Sequence, residues 1–186
     1  MKIVLIGYRC TGKTSAGQKL AGLLDWPFCD TDETIRRRTG RTVEEIVAQG
    51  GWDAFREAER AVIGELAQTD GCVIALGGGA VQDPRNVACL RKSSIFVWLV
   101  ADAGVITGRL QKDPATDAQR PSLTGRPIAL EVAEVLARRE PIYRRIADLT
   151  IDTASRTADE VAGAIRDGLL QKIPPTREAA VRTKKR

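Results

Sequence analysis

Eight consecutive residues, Gly7-Tyr8-Arg9-Cys10-Thr11-Gly12-Lys13-Thr14, follow the pattern G-x-x-x-x-G-K-[ST]. A loop of this composition curls so that successive backbone N–H groups face phosphate oxygens. A helix starting directly after it adds the partial positive charge of its N-terminus. Lys13 is then placed to neutralise the outer phosphates, and the Thr14 hydroxyl to hold Mg²⁺. The four cysteines read as small reduced hydrophobes, and Cys10, beside the start of that helix, is the one candidate for oxidation or alkylation.

A phosphate cradle implies a nucleotide and leaves the acceptor open. Asp30-Thr31-Asp32 stands where a short strand gives way to a turn. In a doubly wound sheet, ligands collect at the carboxyl ends of strands. One of the two carboxylates can reach a metal and the other a substrate hydroxyl; the alternative is a helix N-cap in the Thr-Asp-Glu run. Gly77-Gly78-Gly79 also follows a strand. Three glycines lose much backbone entropy on folding, so they suit the close approach of a ligand better than a mere connection. Arg56, in Phe55-Arg56-Glu57-Ala58-Glu59, and Arg139, in the basic run from Arg138 to Arg145, are candidates for a planar carboxylate, which an arginine fork binds with two parallel bonds. Taken singly, each reads more readily as a solvated surface charge than as a ligand-binding group. Gln119-Arg120-Pro121-Ser122-Leu123 lies in a proline-containing loop suited to a lid, where Arg120 can meet charge on a transferred phosphoryl group.

Composition removes other chemistries. The chain has no histidine, and none of its four cysteines forms a Cys-x-x-Cys pair, which excludes a Ser-His or Cys-His pair and argues against zinc. Sparse cysteines, no leader-like N-terminus and no long apolar run predict a cytoplasmic protein without a membrane segment. The net charge of +5 does not predict nucleic-acid binding. Residues 172–186 hold six basic groups and one acidic group, and the rest holds 23 of each, so the excess is in the tail.

The elements that must position these residues alternate. Strands are predicted over 2–6, 28–30, 72–76, 94–100 and 149–152. Helices are predicted over 13–24, from a capping box at Thr42-Val43-Glu44-Glu45, and over 52–68, 102–111, 129–146 (with a kink at Pro141) and 157–171. Alternation of this kind specifies an α/β fold with a parallel sheet covered on both faces. One kinase-sized domain over 1–171 is expected, with a lid at about 112–127 and a disordered basic tail over 172–186.

The combination of the glycine-rich loop, Asp30-Thr31-Asp32, Phe55-Arg56-x-x-Glu59, Gly77-Gly78-Gly79, Arg120-Pro121 and Arg139-x-Pro141-x-Tyr143-Arg144 resembles the shikimate kinase family along residues 1–170. The resemblance implies a P-loop, nucleoside monophosphate kinase-like, three-layer fold with strand order 2-3-1-4-5. It implies transfer of the ATP γ-phosphate to the 3-hydroxyl of shikimate, with Mg²⁺, by a monomer. By position, Lys13, Asp32 and Arg120 are the catalytic set, and Thr14 and Asp30 the metal set. Asp32, Arg56, Gly77, Gly78, Gly79 and Arg139 bind the acceptor. Gly7, Cys10, Thr11, Gly12, Lys13, Thr14 and Ser15 bind ATP, joined by Arg109, Arg120 and Arg156, with Arg109 similar to the family's adenine-stacking arginine. Two departures stand out: Cys10 occupies a position where many such kinases have glycine, and the segment from Lys112 to Arg120 is longer than in compact members. A P-loop kinase for another small acceptor, such as gluconate or a nucleoside monophosphate, and a non-catalytic nucleotide binder remain as alternatives.

Overall fold

Every residue of the first strand, β1 (Lys2–Ile6), is buried, and its side chains alternate between two cores. Val4 and Ile6 point into one, Ile3 and Leu5 into the other. A strand buried on both faces has to be apolar at every position, which is why this segment shows no polar alternation. The computed structural model describes residues 1–112 and 126–172. It places β1 at the centre of a five-stranded sheet with β2 (Phe28–Asp30), β3 (Val73–Ala75), β4 (Ser94–Val100) and β5 (Leu149–Asp152). All pairings are parallel, and the strand order is β2-β3-β1-β4-β5.

Helices cover both faces. On one side, α1 (Lys13–Leu24) and α7 (Ala158–Lys172) bury Ala16, Leu20, Val161 and Ile165 against Ile3, Leu5 and Val97. On the other lie α2 (Thr31–Thr39), α3 (Val43–Leu66), α4 (Pro84–Arg91) and the end of α6 (Ile128–Ile146). A smaller cluster joins Tyr8, Ile106 and Leu110 of α5 (Ala103–Lys112), and Val132 and Val135 of α6. Lys2 is buried in full, and its ammonium donates to the Ala67 carbonyl at 2.9 Å, the Thr69 carbonyl at 2.6 Å and the Ser93 hydroxyl at 2.7 Å. Three acceptors offset the desolvation of the charge, and the bonds tie β1 to the end of α3.

Two helices were not expected from sequence. α2 begins directly at the end of β2, capped by the Asp30 side chain, which accepts from the amides of Asp32 and Glu33. α4 starts with Pro84 in its first turn after an Asp83 cap, a start signal in a segment too short to show strong periodicity. The capping box at Thr42 and Glu45 is formed, and the two segments read around positions 42 and 52 are halves of one element, α3, bent at Gly51. There φ is +70°, a left-handed value that costs glycine little. Pro141 lies inside α6, which continues past it to Ile146. The expected lid, including Arg120, and the tail beyond Lys172 lie outside the described residues.

Candidate active site

The phosphate loop spans the carboxyl end of β1 and the start of α1, as its sequence requires. Gly12, at φ +90°, is the N-cap of α1, and Gly7 abuts the Leu99 carbonyl of β4, leaving no space for a Cβ. Lys13 curls back over the loop and donates to the carbonyls of Gly7 at 3.0 Å and Tyr8 at 2.7 Å. The Thr11 side chain is buried and donates to the Tyr8 carbonyl at 2.8 Å, so this residue can offer a ligand its backbone but not its hydroxyl. Cys10 takes φ +60°, the left-handed region that side chains disfavour, and packs against the Tyr8 cluster. The resulting cavity is lined by Cys10, Gly12, Lys13, Thr14, Ser15 and Asp30, together with Arg9, Asp32, Leu76 and Gly78.

Thr14 and Asp30 meet at the mouth of that cavity, with the hydroxyl 2.7 Å from Asp30 Oδ2, while Oδ1 caps α2. The helix cap that the sequence offered as the alternative is thus formed by Asp30, whose other oxygen meets Thr14. The pair is all-oxygen, which suits a hard cation. Among the described residues no three His, Cys, Asp or Glu side chains gather as a metal cluster. A metal at this pair would therefore be completed by water and phosphate oxygens, the manner in which Mg²⁺ is usually held.

Beside it is a second cavity, lined by Asp32, Arg56, Glu59, Gly77, Gly78, Gly79 and Arg139, with Arg9, Val43, Trp52 and Phe55. α2, α3, the turn after β3 and α6 converge to form it. The Arg56 guanidinium donates to both oxygens of Glu59, at 2.9 and 2.7 Å. Arg139 is 7% exposed, and its Nε–H is buried without an acceptor among the described residues. A buried donor without an acceptor costs about 1–3 kcal/mol.

Charged side chains crowd a Cβ at Gly77 and Gly79, while at Gly78 a Cβ would make ordinary contact. A Cβ on Gly77 would lie 2.6 Å from Asp32 Oδ1 and 3.0 Å from Glu59 Oε1; on Gly79 it would run into the Arg56 guanidinium; on Gly78 it would touch the backbone of Gly7 and Arg9 at 3.4 Å. Each turn of backbone is also pinned. Gly77 N–H donates to the Thr31 hydroxyl at 2.8 Å, and the Tyr143 hydroxyl donates to the Gly78 carbonyl at 2.6 Å. Burial pushes the Tyr143 hydroxyl up to about 12, so it remains a donor.

Glu59 is the residue the sequence reading left without a role, although its i, i+3 spacing from Arg56 on a helix was the available signal. It is fully buried. Desolvation raises its carboxyl to about 7; the Arg56 guanidinium opposes the rise, Asp32 adds to it, and Arg139 opposes it. Thr31 and Tyr143 were likewise visible only as members of motifs.

Of the remaining expected positions, Arg109 donates to the carbonyls of Cys10 at 3.2 Å, Thr153 and Ala154, and to the Thr153 hydroxyl at 3.1 Å. It thereby ties the phosphate loop to the segment after β5. Arg156 stands exposed on that segment, near Glu160, whose carboxyl is held below the usual range chiefly by the Thr157 amide and hydroxyl, with a smaller contribution from the Arg156 charge.

Comparison with known proteins agrees with this architecture. The family model described as shikimate kinase matches residues 9–169. A shikimate kinase of Syntrophus aciditrophicus is 45% identical, with 88% of each chain covered. A shikimate kinase 2 of Pectobacterium atrosepticum is 41% identical over 90% of this chain and 95% of its own. The solved structure of shikimate kinase from Acinetobacter baumannii in complex with shikimate superposes with a TM-score of 0.87 at 32% identity, covering 94% of this chain and 95% of that one.

Proposed function

This chain belongs to the shikimate kinase family, and on that premise we propose that it transfers the γ-phosphoryl group of ATP to the 3-hydroxyl of shikimate, releasing ADP and shikimate 3-phosphate. One observation carries the acceptor assignment. Asp32 lines both the phosphate cavity and the cavity that holds Arg56 and Arg139, so a hydroxyl beside it faces the nucleotide while a carboxylate on the same small molecule faces the arginines.

The roles follow from position. The loop amides and Lys13 hold the β- and γ-phosphates. Thr14 and Asp30 would hold Mg²⁺, which when bound neutralises phosphate charge. Arg56 and Arg139 clamp the acceptor carboxylate, with the backbone of Gly77, Gly78 and Gly79 as the floor. Asp32 orients the hydroxyl and takes its proton as the new P–O bond forms and the bond from the γ-phosphorus to the β,γ-bridging oxygen breaks. The transition state is loose, so alignment and charge supply most of the acceleration. Arg120 is assigned to the departing charge from its sequence position. Arg109 and Arg156 are assigned to the nucleoside side, where Arg109 holds the loop in register. The enzyme is proposed to act as a monomer in the cytoplasm, with ATP and shikimate as its partners and no nucleic acid. Among the described residues, no helix is long and apolar enough to cross a membrane.

The test is ADP release with Mg²⁺ and ATP, in the presence of shikimate, gluconate or a nucleoside monophosphate. Turnover with shikimate alone is expected. Turnover with one of the others in its place would reassign the acceptor, and none with any would leave a nucleotide binder.

A further inference from the structure

Three residues line both cavities: Arg9, Asp32 and Gly78. Whatever passes from nucleotide to acceptor crosses the junction they form. Gly78 brings no charge, and Asp32 is a carboxylate, which repels a phosphoryl group both as it arrives and once it is attached to the acceptor. Arg9 is the only cation of the three.

Its setting keeps it there. The side chain is 12% exposed and forms an ion pair through Nη2 with Glu131 on α6, itself 2% exposed. The guanidinium carbon lies 5.7 Å from the centre of the Tyr8 ring. Nη2 holds the Glu131 contact, and the Nε–H on the same edge of the guanidinium is buried with no acceptor among the described residues. Lys13, the other cation of the phosphate cavity, bonds to the loop carbonyls on the nucleotide side. Arg56 and Arg139 line the acceptor cavity and not the phosphate cavity. The junction therefore has its own positive group, separate from the carboxylate clamp and from the phosphate lysine.

Resting on the acceptor assignment above, we propose that Arg9 is a substrate-contacting residue specific to the transferred phosphoryl group: it binds that group on the product side, so that it recognises the phosphorylated acceptor and not the acceptor alone. The charge-assisted bond is available only to an acceptor that carries the phosphoryl group, and it offsets the repulsion from Asp32.

Calorimetric titration of shikimate and of shikimate 3-phosphate, without nucleotide, tests this in the full chain. In Arg9→Met the affinity for shikimate 3-phosphate should fall about 10- to 100-fold, the usual scale for one charge-assisted bond, while that for shikimate changes less than about threefold. Arg9→Lys should recover most of the loss. Because Arg9→Met removes an ion pair from the buried Glu131, Arg9→Met with Glu131→Gln is measured alongside and should give the same selective loss if the single variant folds poorly. Equal losses for both ligands, or no loss for either, would overturn the role of Arg9. Failure of the wild-type chain to bind either ligand would instead remove the acceptor assignment itself.

Discussion

The two cavities recognise their ligands by opposite means. The phosphate cradle comes from one stretch of eight residues and works through its backbone; the Thr11 and Lys13 side chains fold back onto the loop's own carbonyls. The acceptor cavity is assembled from α2, α3, the turn after β3 and α6, and its recognising groups are side chains. In the cradle, geometry is set by local dihedral angles, so side chains at several positions are free to vary. In the acceptor cavity, geometry depends on how four elements pack, and an atom added at Gly77 or Gly79 meets a charged neighbour.

The largest effect should come from the cradle's one indispensable side chain. Lys13→Ala is expected to lower kcat about 10³-fold or more, the scale for removing a preorganised positive group; ADP release at saturating substrates reads it. A variant within tenfold of wild type would make the cradle a purely backbone device. Next comes the clamp. Arg139→Ala should weaken acceptor binding by about 2–4 kcal/mol with little change in nucleotide KM. An unchanged acceptor KM would break the division between the two cavities.

Glu59 sharpens the comparison through pH. Its carboxyl is raised from an ordinary 4.5 to about 7, chiefly by burial, so the folded chain holds this proton more tightly than the unfolded one. Its contribution to stability is present in full below about 4.5 and is lost as pH rises through about 7. Relative to Glu59→Gln, wild type should therefore lose up to about 3 kcal/mol across that window, as followed by urea unfolding. A difference independent of pH would show that the acid is not the strained element of the cavity. The smallest effect is expected at Cys10, whose φ of +60° suits glycine. Cys10→Gly should raise stability by about 0.5–1 kcal/mol and leave nucleotide KM within about twofold. A large rise in that KM would mean that the thiol takes part in nucleotide recognition.

The same contrast explains what could be read in the sequence. The cradle is contiguous, so Gly7 to Thr14 disclosed both its geometry and its ligand. The strand order and the acceptor residues came through a resemblance spread over 170 positions, since nothing local to Arg56 or Arg139 separates a clamp from a surface charge. What remained hidden depends on tertiary contact. The burial of Glu59 follows from the packing of α3 on the turn after β3, the Thr31 bond to Gly77 spans 46 residues, and the Arg9–Glu131 pair spans 122. α2 and α4 escaped because each is under ten residues and begins on an aspartate cap directly after other ordered structure.

The glycine turn has one more consequence, for how this protein can change over generations. Space at position 79 is taken by the Arg56 guanidinium, and space at position 77 by Asp32 and Glu59. A mutation that reshapes the floor displaces a charge, and one that alters a charge opens a gap above glycine, so neither is improved alone. A lineage drifting toward a different acceptor would need paired replacements, with an impaired intermediate between them. Positions 56 and 79 should accordingly be found changing together or not at all.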